Sequence, residues 1–417
     1  MSEWKKVKFE DIALLSGENV QPADARGLPY IGLEHIGESS LSLIGFGKAD
    51  QVMSTKKRFT RGDILFGKLR PYFRKLIRAP FDGVCSTDIW VIRSKDISNI
   101  DYLFYLMASD LFIEPVVRSS QGTRMPRAIW EFVSSLEFPL PPLSEQKAIA
   151  HILGSLDDKI ELNRRMNETL EAMARAIFKN WFVDFEPTRA KIEGRAPYLP
   201  EPIWSLFPDE IDPLSGLPIG WKLGNLGSIS ESVNRIVNPV EIDAQTPYIG
   251  LEHIPRCSIS LSNWGSAGKV TSNKLRFEKR EFLFGKLRPY FHKVGIAPIS
   301  GICSTDIVVI RAKSEIWSSF VLEVISSDDF IEYTNLTSTG TKMPRTSWII
   351  MGKYELALPS EAFVKHFNLT IQPCMSQIID NIHQSRTLAE LRDRLLPKLM
   401  SGQIRVKDAE KLVEEVL

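Results

Sequence analysis

Between Lys56 and Arg78 nine cations (Lys56, Lys57, Arg58, Arg61, Lys68, Arg70, Arg74, Lys75, Arg78) share the chain with one acid, Asp63. Phe59, Tyr72 and Phe73 are interleaved with them. A second window holds Lys274, Arg276, Lys279, Arg280, Lys286, Arg288 and Lys293 against Glu278 and Glu281, with Phe277, Tyr290 and Phe291. Ammonium and guanidinium groups crowded on a near-neutral chain are the footprint expected for a phosphate backbone. Most charge runs are only solvated surface, but the same cluster at two matching positions favours phosphate contact. Gly122–Arg127, with Arg124 and Arg127, and Gly340–Arg345, with Lys342 and Arg345, form a second pair of cationic loops. A plain turn ahead of Trp130 and Trp348 is an equal reading of that pair.

No catalytic set accompanies these cations. Gly62–Leu69 imitates a phosphate-binding loop, but Leu69 stands where a metal-holding hydroxyl is required, and the second copy has Arg280 in place of the first glycine. Pro141-Pro142 lacks the flanking residues of an amino-methyltransferase motif, and no Asp/Glu-x-Lys triplet follows Pro208-Asp209. His35 and His253 follow glutamates outside any metal-binding spacing and read as structural histidines. The four cysteines, Cys85, Cys257, Cys303 and Cys374, form no CxxC pair, so disulfides and thiolate metal sites are not expected. A net charge of +1 excludes a histone-like polycation. No apolar run reaches the roughly 18 residues of a membrane span, and the chain reads as a soluble cytoplasmic protein.

The elements that must position the cations are duplicated. Pro29–Ile36 recurs unchanged at Pro247–Ile254, Leu65–Phe73 at Leu283–Phe291, and Cys85–Ile89 at Cys303–Ile307. All share one offset, so two globular domains of one fold are expected rather than a solenoid. Apolar β-type runs at Asp88–Arg93 and Asp306–Arg311, with a helical patch at Tyr102–Ser109, predict an α+β domain. After each domain comes a Pro-marked edge and a long amphipathic stretch. A heptad frame places Ile149, Ile152, Leu156, Met166, Leu170, Met173 and Ile177 on one seam, and Ile371, Ile378, Leu388, Leu395 and Leu399 on the other. Both seams turn polar midway, at Lys159 and Asn163 and at Asn381 and Ser385, as residues that fix register do. Two long antiparallel helices forming a coiled coil, with the domains in a pseudo-twofold arrangement, are expected; two helices packed on their own domains are the alternative. Seven prolines between Pro187 and Pro218 make that stretch a connector. The expected parts are domains at 1–142 and 217–359, helical segments at 143–183 and 360–417, and a connector at 184–216.

Leu140–Asn163, Arg175–Phe185, Leu217–Trp221 and Leu396–Ile404 strongly resemble the corresponding segments of Type I restriction–modification specificity subunits, and in the same order. The resemblance spans essentially the whole chain. It departs at Ser360–Lys365, which does not repeat Ser144–Ile149. It implies a non-catalytic subunit with two target-recognition domains, each reading half of a bipartite site in double-stranded DNA, while the helices set the spacer. It implies partners too: two methyltransferase subunits that bind S-adenosylmethionine, and restriction (translocase) subunits that use ATP and Mg. No cofactor or metal is expected on this chain. A recognition part of a split methyltransferase or nuclease, or a repeat-built protein-interaction scaffold, are the other readings. If the domains read different half-sites, shared residues should hold the backbone. Divergent ones, in Gly37–Lys57 against Pro255–Leu275 and Ser94–Gln121 against Ala312–Thr339, should read bases.

Overall fold

A computed structural model describes residues 4–51, 53–120, 122 and 124–416. Gln121, Thr123 and Val52, which fall in the divergent stretches and in the Gly122–Arg127 loop, lie outside the described residues. The chain divides into two compact units, residues 1–159 with 388–417, and residues 160–387. Both are α+β, and their strand orders correspond sheet by sheet.

In the first unit a five-stranded sheet runs Asn19–Val20, Lys56–Phe59, Gly83–Cys85, Pro29–Ile31, Gly47–Lys48. In the second the order is Arg235–Val237, Lys274–Phe277, Gly301–Cys303, Pro247–Ile249, Gly265–Ser266. Gly83 and Gly301 lie where the parallel neighbour comes closest. A Cβ there would stand 2.6 Å from Pro29 O and 2.5 Å from Pro247 O, a backbone collision that explains why neither copy carries a side chain.

Beside this sheet lies a four-stranded antiparallel one. Its central pair is Ile64–Gly67 with Ile89–Ser94 in the first unit, and Phe282–Gly285 with Ile307–Ala312 in the second. Alternate residues point to opposite faces. Leu283, Ile307 and Val309 join the cluster under the five-stranded sheet, whereas Phe282, Phe284, Val308 and Ile310 pack with Phe320 and Phe330 of the helical layer. With both faces covered, these strands read as unbroken apolar runs rather than alternating ones.

The long helices are Leu143–Phe178, of 36 residues, and Glu361–Met400, of 40 residues. Their last residues correspond, so the second starts four residues earlier, which accounts for the divergent sequence at Ser360–Lys365. In the first unit Gln146 is buried and bonds Asn99 N, Ile97 O and Pro141 O. In the second unit Asn368 takes that place, accepting from Ser319 N and Oγ. In the second unit the helices run antiparallel, since Asn163 meets Gln384 and Ser385, Asn167 meets Asn381, and Phe178 meets Phe367.

The heptad frame needs correction in the first helix. Ile149, Ile152, Leu156, Ile371, Ile378, Leu388, Leu395 and Leu399 are buried, and Leu170 and Ile177 pack on the core. Met166 and Met173 instead are 38% and 50% exposed, while Asn167, Glu171, Ala174 and Phe178 face inward. A straight α-helix turns every 3.6 residues, so a strict seven-residue count drifts off the buried face unless the helix supercoils or inserts an extra four-residue step. The step from Asn163 to Asn167 to Glu171 is such an insertion.

The Pro-rich connector holds two short helices, Glu186–Ile192 and Glu201–Trp204. It is packed rather than loose. Phe207 lies edge-on to Trp181 at 5.4 Å and to Phe363 at 4.6 Å, inside the aromatic core of the second unit.

Two stability predictions follow from this packing. Gly83→Ala forces a Cβ against Pro29 O, so the melting midpoint should fall by the equivalent of about 1–3 kcal/mol; an unchanged melt would show that the strands can separate at no cost. Glu323, in the helix Ser318–Ile325, is buried, and burial raises its carboxyl pKa to about 8, with Arg175 opposing and Glu171 adding to the rise. The folded state therefore holds a proton that the unfolded chain releases near pH 4.5, so stability from this group is full below that value and is lost as pH rises towards 8. Glu323→Gln should raise the melting temperature relative to the parent more at pH 8 than at pH 5, and an equal difference at both would contradict this.

Candidate nucleic-acid interface

Both units bring the same three separate segments to one ridge. In the first, the sheet pairing of Ile64–Gly67 with Ile89–Ser94 is prolonged by Lys68 N–H donating to Asp88 O at 2.9 Å. Ala128 N–H then donates to Lys68 O at 2.9 Å, and Arg70 N–H to Pro126 O at 2.7 Å. The second unit repeats this: Lys286 N to Asp306 O at 3.0 Å, Thr346 N to Lys286 O at 3.0 Å, and Arg288 N to Pro344 O at 2.7 Å. The two cationic loops found in the sequence are thus neighbours joined by backbone hydrogen bonds.

The turn that follows is the same in both copies. Arg70 and Arg74 have φ of 51° and 50°, and Arg288 and His292 have 52° and 49°, flanking the short turns Pro71–Phe73 and Pro289–Phe291. Left-handed backbone costs non-glycine residues energy, and both copies keep it at an arginine. Between those residues Tyr72 and Tyr290 stand 47% and 49% exposed, with their rings 4.7 Å from Phe73 and Phe291. Met125 and Met343 are exposed on the adjoining loop at 50% and 47%. The Nε atoms of Arg70 and Arg288 are buried without a hydrogen-bond partner, among the few such atoms of the described residues.

Most cations of the sequence windows fall into three groups. Lys56 and Lys274, expected to contact phosphate, are buried; each Nζ bonds the backbone and hydroxyl of a serine, Ser54 or Ser272, and lies over Tyr30 or Tyr248. Each opens the second strand of its five-stranded sheet and, turned inward, is removed from the interface. Burial also lowers the Lys56 pKa.

A second group is half-exposed and paired: Arg58 with Glu18, Arg74 with Asp110, Arg78 with Asp101, Arg127 with Asp88 and Arg345 with Asp306. Lys57 reaches Gly17 O, and Lys75 reaches Leu33 O and Ile36 O. The Arg127–Asp88 pair is bidentate at 2.9 and 3.2 Å, and those hydrogen bonds raise the arginine pKa. The third group, Arg61, Lys68, Arg124, Arg276, Lys286, Arg288 and Lys342, has no carboxylate partner among the described residues, and the Arg70 side chain bonds only Arg124 O, at 3.3 Å.

Sequence reasoning missed Asp88 and Asp306. They were visible as part of the repeated Cys-Ser-Thr-Asp, but nothing in the sequence showed that they anchor Arg127 and Arg345. Nδ1 of His35 and of His253 accepts from Gly32 N and Gly250 N at 2.9 Å, tying each ring to its own turn, and burial lowers the His253 pKa. Gly62–Leu69 leads into a β-strand rather than a helix, which removes any phosphate-loop geometry. Cys85 and Cys303 are buried thiols with pKa pushed up to about 12 by that burial.

The divergent stretches behave differently from each other. Tyr102–Ala108 and Ser319–Ile325 are buried helix, filling the core, whereas Ile44, Phe46 and Met53 of the other stretch are 67%, 59% and 98% exposed. No group of three or more metal-ligating side chains occurs among the described residues, and none of their helices is long and apolar enough to cross a membrane.

Residues 1–172 match the family described as Type I restriction modification DNA specificity domain. The MjaIX Type I restriction enzyme specificity subunit of Methanocaldococcus jannaschii is 26% identical, covering 97% of this chain and 94% of its own. The HindI specificity subunit of Haemophilus influenzae is 24% identical over 97% of this chain and all of its own length. In fold, the chain is similar to the crystal structure of the Type I restriction–modification S subunit from M. genitalium, with a TM-score of 0.54 at 15% identity, covering 95% of this chain and 96% of that one. The family match covers the first copy of the repeat, the second copy keeps the same sheets and ridge, and the two relatives align along both, so the chain is similar over nearly its whole length to Type I restriction–modification specificity subunits.

Proposed function

We propose that each ridge grips one half of a bipartite site in double-stranded DNA, and that the chain acts as the sequence-reading subunit of a methylating and restricting complex. The observation that carries this is the convergence, in both units, of unpaired cations, an exposed Tyr and an exposed Met on a backbone-bonded ridge. Lys68, Arg70, Arg124 and their counterparts Lys286, Arg288 and Lys342 supply charge for phosphates, and the paired Arg127 and Arg345 hold the loops in place. The chemistry belongs to partners: two methyltransferase subunits carrying S-adenosylmethionine, and restriction subunits using ATP and Mg. Among the described residues neither ridge carries a group of three or more metal-ligating side chains.

Support for docking comes from the outer face of the first long helix. Leu162, Met166 and Met173 are 51%, 38% and 50% exposed and share one side of the helix with Thr169 and Ala176. Exposed apolar side chains so aligned suit a partner helix.

Lys68→Ala or Lys286→Ala should weaken binding of the assembled complex alike on all sequences and reduce the slope of log affinity against log salt by about 1 each. A slope equal to that of the parent would place those lysines off the backbone. Met166→Asp with Met173→Asp should leave the chain's melting temperature within about 2 °C, since surface changes rarely exceed ~0.5 kcal/mol, yet abolish co-purification of the methyltransferase subunit. Undiminished co-purification would put the docking face elsewhere.

A further inference from the structure

The two ridges are nearly the same surface. Gly67–Phe73 equals Gly285–Phe291 and Cys85–Ile89 equals Cys303–Ile307, and in the other loop only Arg124 and Lys342 differ, without change of charge. Whatever tells one half-site from the other must stand beside the ridge rather than on it.

One position qualifies on geometry. The residue after it docks on the ridge turn in both copies: Ser39 N–H donates to Phe73 O at 3.2 Å, and Cys257 N–H to His292 O at 2.9 Å. Both docking residues share a left-handed backbone, with φ of 53° and 55°. The residue displayed just before is Glu38 in the first copy and Arg256 in the second. The left-handed residue is kept, its N–H taking the carbonyl of Phe73 in one copy and that of His292, one place further along the turn, in the other, while the charge reverses.

Each side chain is exposed and held at the turn. Glu38, with 57% of its side chain exposed, lies 3.8 Å from Lys75. The exposed Arg256 stacks its guanidinium over the Phe291 ring at 4.1 Å, and no carboxylate pairs with it among the described residues. A guanidinium laid on a ring keeps its N–H donors in its own plane, directed outwards. A fork of donors matches O6 and N7 of guanine, and a carboxylate matches the N4 amino group of cytosine.

We infer that this position reads one base pair in each half-site, Arg256 selecting guanine and Glu38 selecting cytosine. The inference rests on the DNA reading above and adds to it the residue pair that makes the two halves differ.

The test uses the complex assembled with its methyltransferase subunits and a randomised duplex library, with methylated sites sequenced. Arg256→Glu should invert one G·C pair to C·G in a single half-site, and Glu38→Arg should do the reverse in the other half. The milder Arg256→Gln and Glu38→Gln should each lower discrimination at that same pair by about 10- to 100-fold, leave every other position unchanged, and decide the matter if a charge-reversed chain does not assemble. Assembled variants that keep the parental preference at every position would overturn the inference and leave the DNA reading standing. A parental complex that yields no two-part consensus would refute both.

Discussion

The arrangement of each unit depends on one strand pairing, Ile64–Gly67 with Ile89–Ser94, and its copy, Phe282–Gly285 with Ile307–Ala312. Both strands are covered on two faces, so their register cannot slip without moving every apolar side chain into the wrong layer. Where the apolar residues end, the ladder continues by one hydrogen bond, from Lys68 or Lys286 to the carbonyl of Asp88 or Asp306. That bond transfers the rigidity of the core to a polar ridge. The third segment attaches to the same two residues, through Lys68 O and through the Asp88 carboxylate. A flexible loop bearing the same cations would lose conformational entropy on meeting DNA, whereas this ridge has already lost it in folding.

Charge has different work in different parts of the ridge. Exposed ion pairs contribute only about 0–1 kcal/mol, so Arg127–Asp88 matters for the position it fixes more than for the stability it adds. Asp63, buried at the end of the strand pair opposite to Lys68, is another case. Burial opposes its ionisation, but Arg93, bonding it at 2.8 and 2.9 Å, and Thr60 outweigh that and keep its pKa below the ordinary value. The second copy keeps the device with Glu281 and Arg311, and adds Arg235. The lone acid of the first basic window is thus a buried anchor, which leaves the exposed side of that window uniformly positive.

Much of this was legible in the sequence, because duplication acts as an internal control. Identical segments at one offset revealed two domains of one fold, and the apolar runs revealed the central strands. The cations could not be sorted the same way. Lys56 and Lys68 look alike in a charge count, and only the folded strand Lys56–Phe59 shows that Lys56 turns inward to Ser54. The helices failed for a periodic reason: a heptad frame anchored at Ile149 is right for two heptads, to Asn163, and beyond it an extra step moves Met166 and Met173 outward while Leu170 and Ile177 stay on the core. Polar inward residues such as Asn167 and Glu171 carry no hydrophobic signal that would have corrected the frame. Glu171 faces inward because it accepts from Ser258, Ile259 N and Ser260, partners about ninety residues away along the chain.

The same comparison of copies separates scaffold from reader. Where the copies agree in sequence, they agree in backbone bonds, left-handed residues and exposed aromatics, which are the contacts that hold a duplex of any sequence. Where they differ and remain exposed, as at Glu38 and Arg256, the left-handed residue that follows is kept. A difference of charge beside that shared residue has little folding role to serve, since neither side chain is buried and the paired Glu38 gains little from Lys75. The buried differences are of another kind. Tyr105 donates to Asp157, which holds Arg392, in the first unit, while the corresponding place in the second is the buried Glu323. Those changes repack a core around its own helix. Exposed differences beside the ridge, rather than these buried ones, are placed to tell one half-site from the other.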